Sequence, residues 1–201
     1  MKGIEEGRFI VFEGIDGSGK DTISQQVFNE LSDGYGLEDE LYYLSMDKGA
    51  NYKDIKTLIS SNDFTLREVA TLNIRNMESL NKIIVDKLNI DMFVIGNRWY
   101  YSTLAYNTMT KEDEEYVYEL AKKLAVPHMV IYLDLEPELA LERISQNRNK
   151  ITYWENLDTL KRAREKYINM MDVNNNIKLV DASMSIDDVF DVTMGIVKNI
   201  L

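Results

Sequence analysis

Several residue types that often define a protein's chemistry are scarce or missing in this sequence of 201 residues. There is no cysteine, which excludes disulfide bonds and thiolate metal sites. The single histidine, His128, cannot form a histidine metal cluster, and we interpret it as structural. No segment approaches the roughly 20 apolar residues that span a bilayer, and Met1–Arg8 lacks the apolar core of a signal peptide. We therefore expect a soluble, cytoplasmic protein without a membrane partner.

Positive charge is also in short supply. The chain has 23 lysine and arginine residues against 34 aspartate and glutamate residues, a net charge of −11. A surface this acidic repels the phosphates of DNA and RNA, so we expect no nucleic-acid partner, and an anionic substrate must be held by a few local cations. Internal repeats and linkers rich in proline, glycine or serine are absent as well. We therefore expect a single domain over residues 1–201.

Short runs of β-branched and aromatic residues alternate with segments of helical periodicity. The five runs are Phe9–Phe12, Leu41–Leu44, Met92–Ile95, Met129–Leu133 and Ile177–Val180. Continuous apolar runs are typical of strands buried on both faces, and their alternation with helices indicates right-handed crossovers. The sequence predicts an α/β fold with a five-stranded parallel sheet and helices on both faces. In such folds ligands bind at the carboxyl ends of the strands.

The segment after the first strand fits the pattern G-x-x-x-x-G-K of a phosphate-binding loop. Gly17 and Gly19 would let the backbone turn its N–H groups inward, and the start of the next helix adds positive potential. Lys20 would reach the β- and γ-phosphate oxygens of ATP. We predict an ATP site formed by the loop and the first helical turn: Gly14, Ile15, Asp16, Gly17, Ser18, Gly19, Lys20, Asp21 and Thr22.

One position departs from this loop pattern. The residue after the lysine is normally Ser or Thr, whose hydroxyl binds Mg²⁺, and here it is Asp21. An acid in the first helical turn interacts favourably with the helix dipole, which is a sufficient structural reason for it. A carboxylate oxygen is also a ligand that Mg²⁺ prefers. Both interpretations of Asp21 remain open from the sequence.

The motifs together resemble the thymidylate kinase family of P-loop nucleoside monophosphate kinases. Phe9–Thr22 is similar to the family's opening. Gly96–Trp99 followed by Ser102–Asn107 is similar to its pattern D-R-[YFWH] followed by S-[ST]-x-A-Y-Q. Later segments of the family are resembled, in the right order, by Leu133–Asp134 with Pro137–Arg143, by Trp154–Asn156 with Arg162–Tyr167, and by Asp181–Ser183. The resemblance spans nearly the whole chain. It implies a P-loop NTPase fold with a short lid at about residues 146–154, ATP and Mg²⁺ as cofactors, a small-molecule nucleotide substrate, and a homodimer packed through the long helices.

The resemblance also implies an acceptor site. Asp16 would contact the sugar 3′-hydroxyl, and Arg98 would grip the acceptor phosphate, a task that suits a planar charged fork. Arg75 and Thr103 would reach the base, while Tyr106 would pack beside the sugar and disfavour a ribose 2′-hydroxyl. Arg75 is aligned by spacing alone and has a plainer interpretation as a solvated helix residue. Tyr106 has one as core filling between helices.

A second implication concerns the residues that hold charge during transfer. Arg148, with Lys150 beside it, lies in the segment that corresponds to the lid over ATP, although a charged loop is the simpler interpretation. On this basis the predicted catalytic residues are Lys20, Asp16, Arg98 and Arg148.

Departures from the family pattern bear on the metal and on the base. Asn97 stands where the family has the Asp of the D-R pair, so we predict that Asp21 and Asn97 are linked and form the Mg²⁺ site. Thr71 stands where the family often has a phenylalanine that stacks on thymine, and Asn107 replaces a glutamine. The arginine- and proline-bearing loop after the second strand is replaced by Ser45–Ala50. The phosphate machinery is retained, whereas the base pocket has changed.

We therefore predict an ATP-dependent kinase of a deoxynucleoside monophosphate, with dTMP converted to dTDP as the leading reaction. Two alternatives stay open. One is a kinase of another monophosphate or of a deoxynucleoside, and the other is a nucleotide-binding regulator without catalytic activity.

Overall fold

A parallel sheet forms the centre of the computed structural model, which describes residues 7–61, 64–147 and 154–201. Its strand order is β2-β3-β1-β4-β5, where the strands are β1 (Arg8–Glu13), β2 (Leu41–Leu44), β3 (Phe93–Asn97), β4 (Met129–Asp134) and β5 (Ile177–Asp181). Every neighbouring pair is parallel. The predicted α/β fold with a five-stranded parallel sheet is confirmed.

Eight α-helices connect and cover the strands within the described residues. They are α1 (Lys20–Asn29), α2 (Tyr52–Ser61), α3 (Leu66–Leu88), α4 (Tyr100–Asn107), α5 (Lys111–Ala121), α6 (Pro137–Asn147), α7 (Leu157–Met171) and α8 (Ile186–Val197). The long helix α3 begins with a capping box, in which Thr65 and Glu68 each accept the other's backbone N–H. None of the described helices is both long and apolar enough to cross a membrane.

Central strand β1 shows why apolar runs form this sheet. Its side chains from Phe9 to Phe12 are all fully buried, although successive side chains point to opposite faces. Both faces are therefore covered, which is the arrangement that a continuous apolar run favours. His128 makes two hydrogen bonds to the same strand. Its imidazole Nδ1 accepts the backbone N–H of Phe9 at 2.9 Å, and its backbone N–H donates to the Phe9 carbonyl at 2.8 Å.

The sequence pattern did not predict α4 and α5 as helices. All eight residues of α4 are buried, so the segment lacks the polar face that creates a helical period. Helix α5 opens with a run of charged residues and buries only Val117 and Ala121, so its apolar face is too thin to recognise. A capping box of Thr110 and Asp113 is the signal that marks its beginning.

Candidate active site

Strand β1 runs into a glycine-rich loop that needs glycine for two different reasons. At Gly17 φ is +84°, and a β-carbon would lie 2.5 Å from the backbone oxygen of Ala140, so no side chain fits there. At Gly19 φ is +87° and the space beside the α-carbon is open within 4 Å. The loop is thus packed closely against α6 on one side and leaves room for a ligand at the beginning of α1.

A cavity of about 580 Å³, here called the loop cavity, lies at that point. On one side it is lined by the predicted loop residues from Asp16 onward, including Lys20, Asp21 and Thr22. The opposite side was not predicted as a binding surface and consists of Arg143, Ile144, Glu155, Ala182, Met184, Ser185, Ile186 and Val189. Arg143 donates to the Ala182 carbonyl at 3.0 Å, which connects α6 with the segment after β5. The position of that segment at the carboxyl end of the last strand is the signal that could have identified it.

Lys20 is buried at the beginning of α1, with 4% of its surface exposed. Its Nζ lies 3.4 Å from the Ile15 carbonyl oxygen and 3.5 Å from Asp16 Oδ1. Burial, together with the positive charge of Arg98, lowers the pKa of Lys20. A cation this poorly hydrated would gain much from an anionic ligand in the loop cavity.

Asp16 connects the two cations of the site. Arg98 Nη2 donates to its carboxylate, and Lys20 approaches the same oxygen. Burial raises the pKa of Asp16, but Arg98 and Lys20 outweigh that effect and hold the pKa at about 2. Asp16 is therefore ionised at neutral pH and balances part of the positive charge around it.

Arg98 adopts a left-handed backbone conformation, with φ at +67°, directly after β3. Such a conformation in a non-glycine residue costs on the order of 1 kcal/mol and often occurs at functional sites. Its backbone N–H donates to the Phe12 carbonyl at 2.9 Å, and its Nη1 donates to Ser102 Oγ at 2.8 Å. The guanidinium also lies over the Tyr106 ring, 5.5 Å from its centroid. These contacts fix the direction in which the forked cation points.

A buried carboxylate that the sequence analysis missed supports this arrangement. Glu13, fully buried at the end of β1, accepts the Trp99 backbone N–H at 2.7 Å, the Ser102 hydroxyl at 2.5 Å and the Tyr167 hydroxyl at 2.7 Å. Burial raises the pKa of Glu13 above its ordinary value, although Arg98 and the hydrogen bonds oppose this effect. Glu13 thus joins the beginning of α4 to α7 and supports the Ser102 hydroxyl that contacts Arg98. In the sequence, the only local sign of this role is the position of Glu13 directly before Gly14 of the phosphate loop.

A second cavity of about 240 Å³, here called the helix cavity, opens on the other side of Asp16. It lies between α2, α3 and α4, and Asp16 and Arg98 line it together with Thr103 and Tyr106. Tyr106 accepts the backbone N–H of Asp16 at 2.9 Å through its hydroxyl. Thr103 Oγ1 is buried and has no hydrogen-bond partner in the described part of the chain. The structure thus brings four of the five predicted acceptor residues together.

Arg75 is the predicted acceptor residue that the structure places elsewhere. Its side chain is exposed on α3, and it is absent from the described residues that line the helix cavity. Asn73 and Asn76 line the cavity from that helix instead. The spacing that selected Arg75 did not account for the rotation of α3 about its axis. Arg148 and Lys150, and most of the predicted lid, lie outside the described residues.

The aromatic wall of the helix cavity comes from a different element than the family pattern suggests. Thr71 does not line the cavity; its hydroxyl donates to the Arg67 carbonyl at 2.8 Å and lies 2.9 Å from the Tyr116 hydroxyl. Trp154 lines the cavity, with its ring 5.8 Å from that of Phe64 and 6.4 Å from that of Tyr106. A flat ligand in this cavity would therefore meet an indole from the segment before α7.

The two predicted metal ligands are in direct contact. Asn97 Nδ2 donates to the Asp21 carboxylate, although 76 residues separate them in the chain. Asn97 Oδ1 is buried and has no partner in the described residues. Groups of three or more histidine, cysteine, aspartate or glutamate residues that could hold a metal by themselves are not found in this part of the chain. Any cation here would share its coordination with a ligand.

Comparison with known proteins agrees with this geometry. The family model described as thymidylate kinase matches residues 12–192. A probable thymidylate kinase of Sulfolobus acidocaldarius is 32% identical over 202 residues, which cover 96% of this chain and 97% of the relative. The thymidylate kinase of Ligilactobacillus salivarius is 30% identical and covers 98% of this chain and 100% of its own length. That of Leptospira borgpetersenii is 34% identical over 172 residues, 82% of this chain and 81% of the relative.

Proposed function

Because the chain belongs to the thymidylate kinase family, we propose that it transfers the γ-phosphate of ATP to dTMP, with ADP and dTDP as products. One observation carries this proposal. Asp16 lines both the loop cavity and the helix cavity, with Lys20 in the first and Arg98 in the second. A phosphate donor and a phosphate acceptor in these cavities would meet at Asp16, between two cations.

In this reaction an oxygen of the acceptor phosphate attacks the γ-phosphorus of ATP. The bond from that phosphorus to the β–γ bridging oxygen breaks and ADP leaves. The protein contributes position and charge rather than a covalent intermediate. Lys20 would offset charge on the β- and γ-phosphates, and Arg98 would hold the acceptor phosphate. Asp16 would release part of its contact with Arg98 and orient the sugar 3′-hydroxyl.

The residues beside the phosphate loop fit a magnesium ion. Asp21 offers a carboxylate at the loop cavity, and Asn97 Oδ1, which has no partner among the described residues, offers a second oxygen. Mg²⁺ usually binds one or two carboxylates together with phosphates and water. We propose that Asp21 and Asn97 hold Mg²⁺ with ATP, where the ion would supply positive charge to the phosphates.

Two further features belong to the proposal. The family resemblance implies a homodimer packed through α3. Val85 in the last turn of that helix and Ile90, two residues after its end, are 40% and 65% exposed. Light scattering after size-exclusion chromatography would measure the mass of the protein in solution.

ATP and a nucleoside monophosphate as substrates favour a cytoplasmic location for the protein.

The experiment that tests the activity incubates the protein with ATP, MgCl₂ and one acceptor at a time, and separates products by anion exchange. Formation of dTDP and ADP in equal amounts is expected. Phosphorylation of thymidine but not of dTMP would show a deoxynucleoside kinase, which the position of Arg98 in the helix cavity argues against. Binding of ATP without a phosphorylated product from any acceptor would show a nucleotide-binding regulator.

A double-mutant cycle tests the metal site. Asp21→Thr removes the only carboxylate of the pair, so it is expected to lower kcat/KM and to weaken Mn²⁺ binding in the presence of a non-hydrolysable ATP analogue. Asn97→Asp places two carboxylates beside the triphosphate and is expected to lower kcat/KM. The double variant is expected to recover much of both losses, with a coupling energy of about 1–2 kcal/mol. Mn²⁺ binding is measured by electron paramagnetic resonance. Additive losses would show that Asp21 is only a helix-start acid.

A further inference from the structure

An amide pair bridges the two helices that form one wall of the helix cavity. Asn73, in the middle of α3, donates its Nδ2 to Oδ1 of Asn107, the last residue of α4, at 3.1 Å. Both residues line the cavity; Asn107 is buried and Asn73 is half-buried. The pair therefore stands where the base of an acceptor nucleotide would lie if its phosphate were bound to Arg98.

The bond within this pair leaves hydrogen-bonding groups of both kinds free for a ligand. Each asparagine amide carries two N–H donors and one carbonyl oxygen. The bond uses one N–H of Asn73 and leaves its second N–H, its Oδ1 and both N–H groups of Asn107 without a further partner in the described part of the chain. Rotating both amides by 180° preserves the bond but exchanges the free donor and acceptor. The pair can thus offer the same two groups in either order.

The hydroxyl of Thr103 can likewise act as a donor or as an acceptor. Thr103 lies one helical turn before Asn107 on α4 and lines the same cavity. Its buried hydroxyl, which has no partner within residues 7–61, 64–147 and 154–201, can either donate or accept a hydrogen bond. An arginine in contact with the base would act differently, because a guanidinium can donate hydrogen bonds but cannot accept them. The exposed Arg75 does not supply that restriction.

Pyrimidine bases differ in the order of these groups. Thymine and uracil present a carbonyl acceptor at position 4 and an N–H donor at position 3, whereas cytosine presents an amino donor and a nitrogen acceptor there. We propose that the Asn73–Asn107 pair, with Thr103, reads this edge in both orders, so that the site accepts dCMP as well as dTMP. This proposal rests on the proposed function, since it assigns the helix cavity to the acceptor base.

The test measures acceptor binding, which does not depend on turnover. Calorimetry with wild-type protein is expected to give dissociation constants for dTMP and dCMP within about tenfold of each other. Asn107→Asp and Asn73→Asp each replace an amide with a carboxylate that can only accept, and the remaining amide turns an N–H toward that carboxylate. Oxygens then face both positions of the base edge, so dTMP and dCMP should each lose one matched hydrogen bond. We expect both dissociation constants to rise by about 10-fold, the effect of one mismatched hydrogen bond.

Two variants guard against a purely structural effect. Asn73→Asp changes the half-buried member and should fold even if the buried Asn107→Asp does not. Asn89→Asp, at the exposed C-cap of α3, is the matched control and should leave both dissociation constants unchanged. Binding of dTMP alone, or dissociation constants that neither variant moves, would overturn the amide-pair proposal. Weakened binding of both nucleotides without dTDP formation by the wild-type protein would instead support the pair and overturn the proposed transfer.

Discussion

Replacing Lys20 with alanine is expected to lower kcat by at least about 100-fold while the fold is retained. Electrostatic stabilisation of the transferring phosphoryl group is the main contribution of this fold, and loss of one well-placed charge commonly costs 10²–10³-fold. Lys20 is suited to this role because it is buried at the loop cavity and has little competing hydration. Its partner Asp16 keeps the bond from Arg98, so the variant does not leave that carboxylate unpaired.

Steady-state formation of ADP at saturating dTMP measures this effect, and circular dichroism with thermal unfolding checks the fold. Lys161→Ala is the matched control, since Lys161 is exposed on α7 and pairs only with the surface residue Glu138 among the described contacts. It should change kcat by less than about twofold. Near-normal turnover of folded Lys20→Ala would mean that the glycine-rich loop does not hold the triphosphate.

Replacing Arg98 with lysine is expected to weaken dTMP binding by about 1–3 kcal/mol and to leave ATP affinity almost unchanged. The guanidinium uses separate nitrogens for Ser102 and Asp16 and still faces the helix cavity, which a single ammonium cannot reproduce. Because Arg98 does not line the loop cavity, the loss should be confined to the acceptor.

Calorimetric titration with dTMP and, separately, with a non-hydrolysable ATP analogue distinguishes the two sites. Arg164→Lys is the matched control: Arg164 binds Asp134 through Nε and Nη2 at 2.8 and 2.9 Å, and neither cavity includes it. That change should leave both affinities within about twofold. Equal weakening of donor and acceptor in Arg98→Lys would remove Arg98 from the role of acceptor clamp.

Much of the site was predictable because its signals are local. The run Phe9–Phe12, the glycines after it and the apolar period of α1 are contiguous, and their geometry follows from backbone conformations that neighbouring residues determine. Arg98 follows directly after a recognisable strand, and the family pattern that begins there placed Thr103 and Tyr106. The carboxyl ends of parallel strands lie at the same edge of the sheet, so recognising the strands is sufficient to expect these residues at that edge.

Residues on long helices were harder to place. Arg75 and Asn73 are two positions apart, which turns the side chains by about 200° around an α-helix. Spacing along the sequence locates such residues within α3, but the rotation of the helix is set by which apolar side chains pack, here Val69, Ile74 and Met77. The sequence pattern therefore favoured the charged residue, while packing directed the amide into the cavity.

The sequence by itself determined the succession of the five strands along the chain, the phosphate loop and the motifs that identify the family, because each of these depends on residues close together in the chain. Only the tertiary structure decided which distant side chains touch. The bond from Asn97 to Asp21, the Asn73–Asn107 pair and the three partners of Glu13 all join different elements. Such contacts depend on the relative positions of packed elements within a few ångströms, and hydrogen bonds form only within that tolerance.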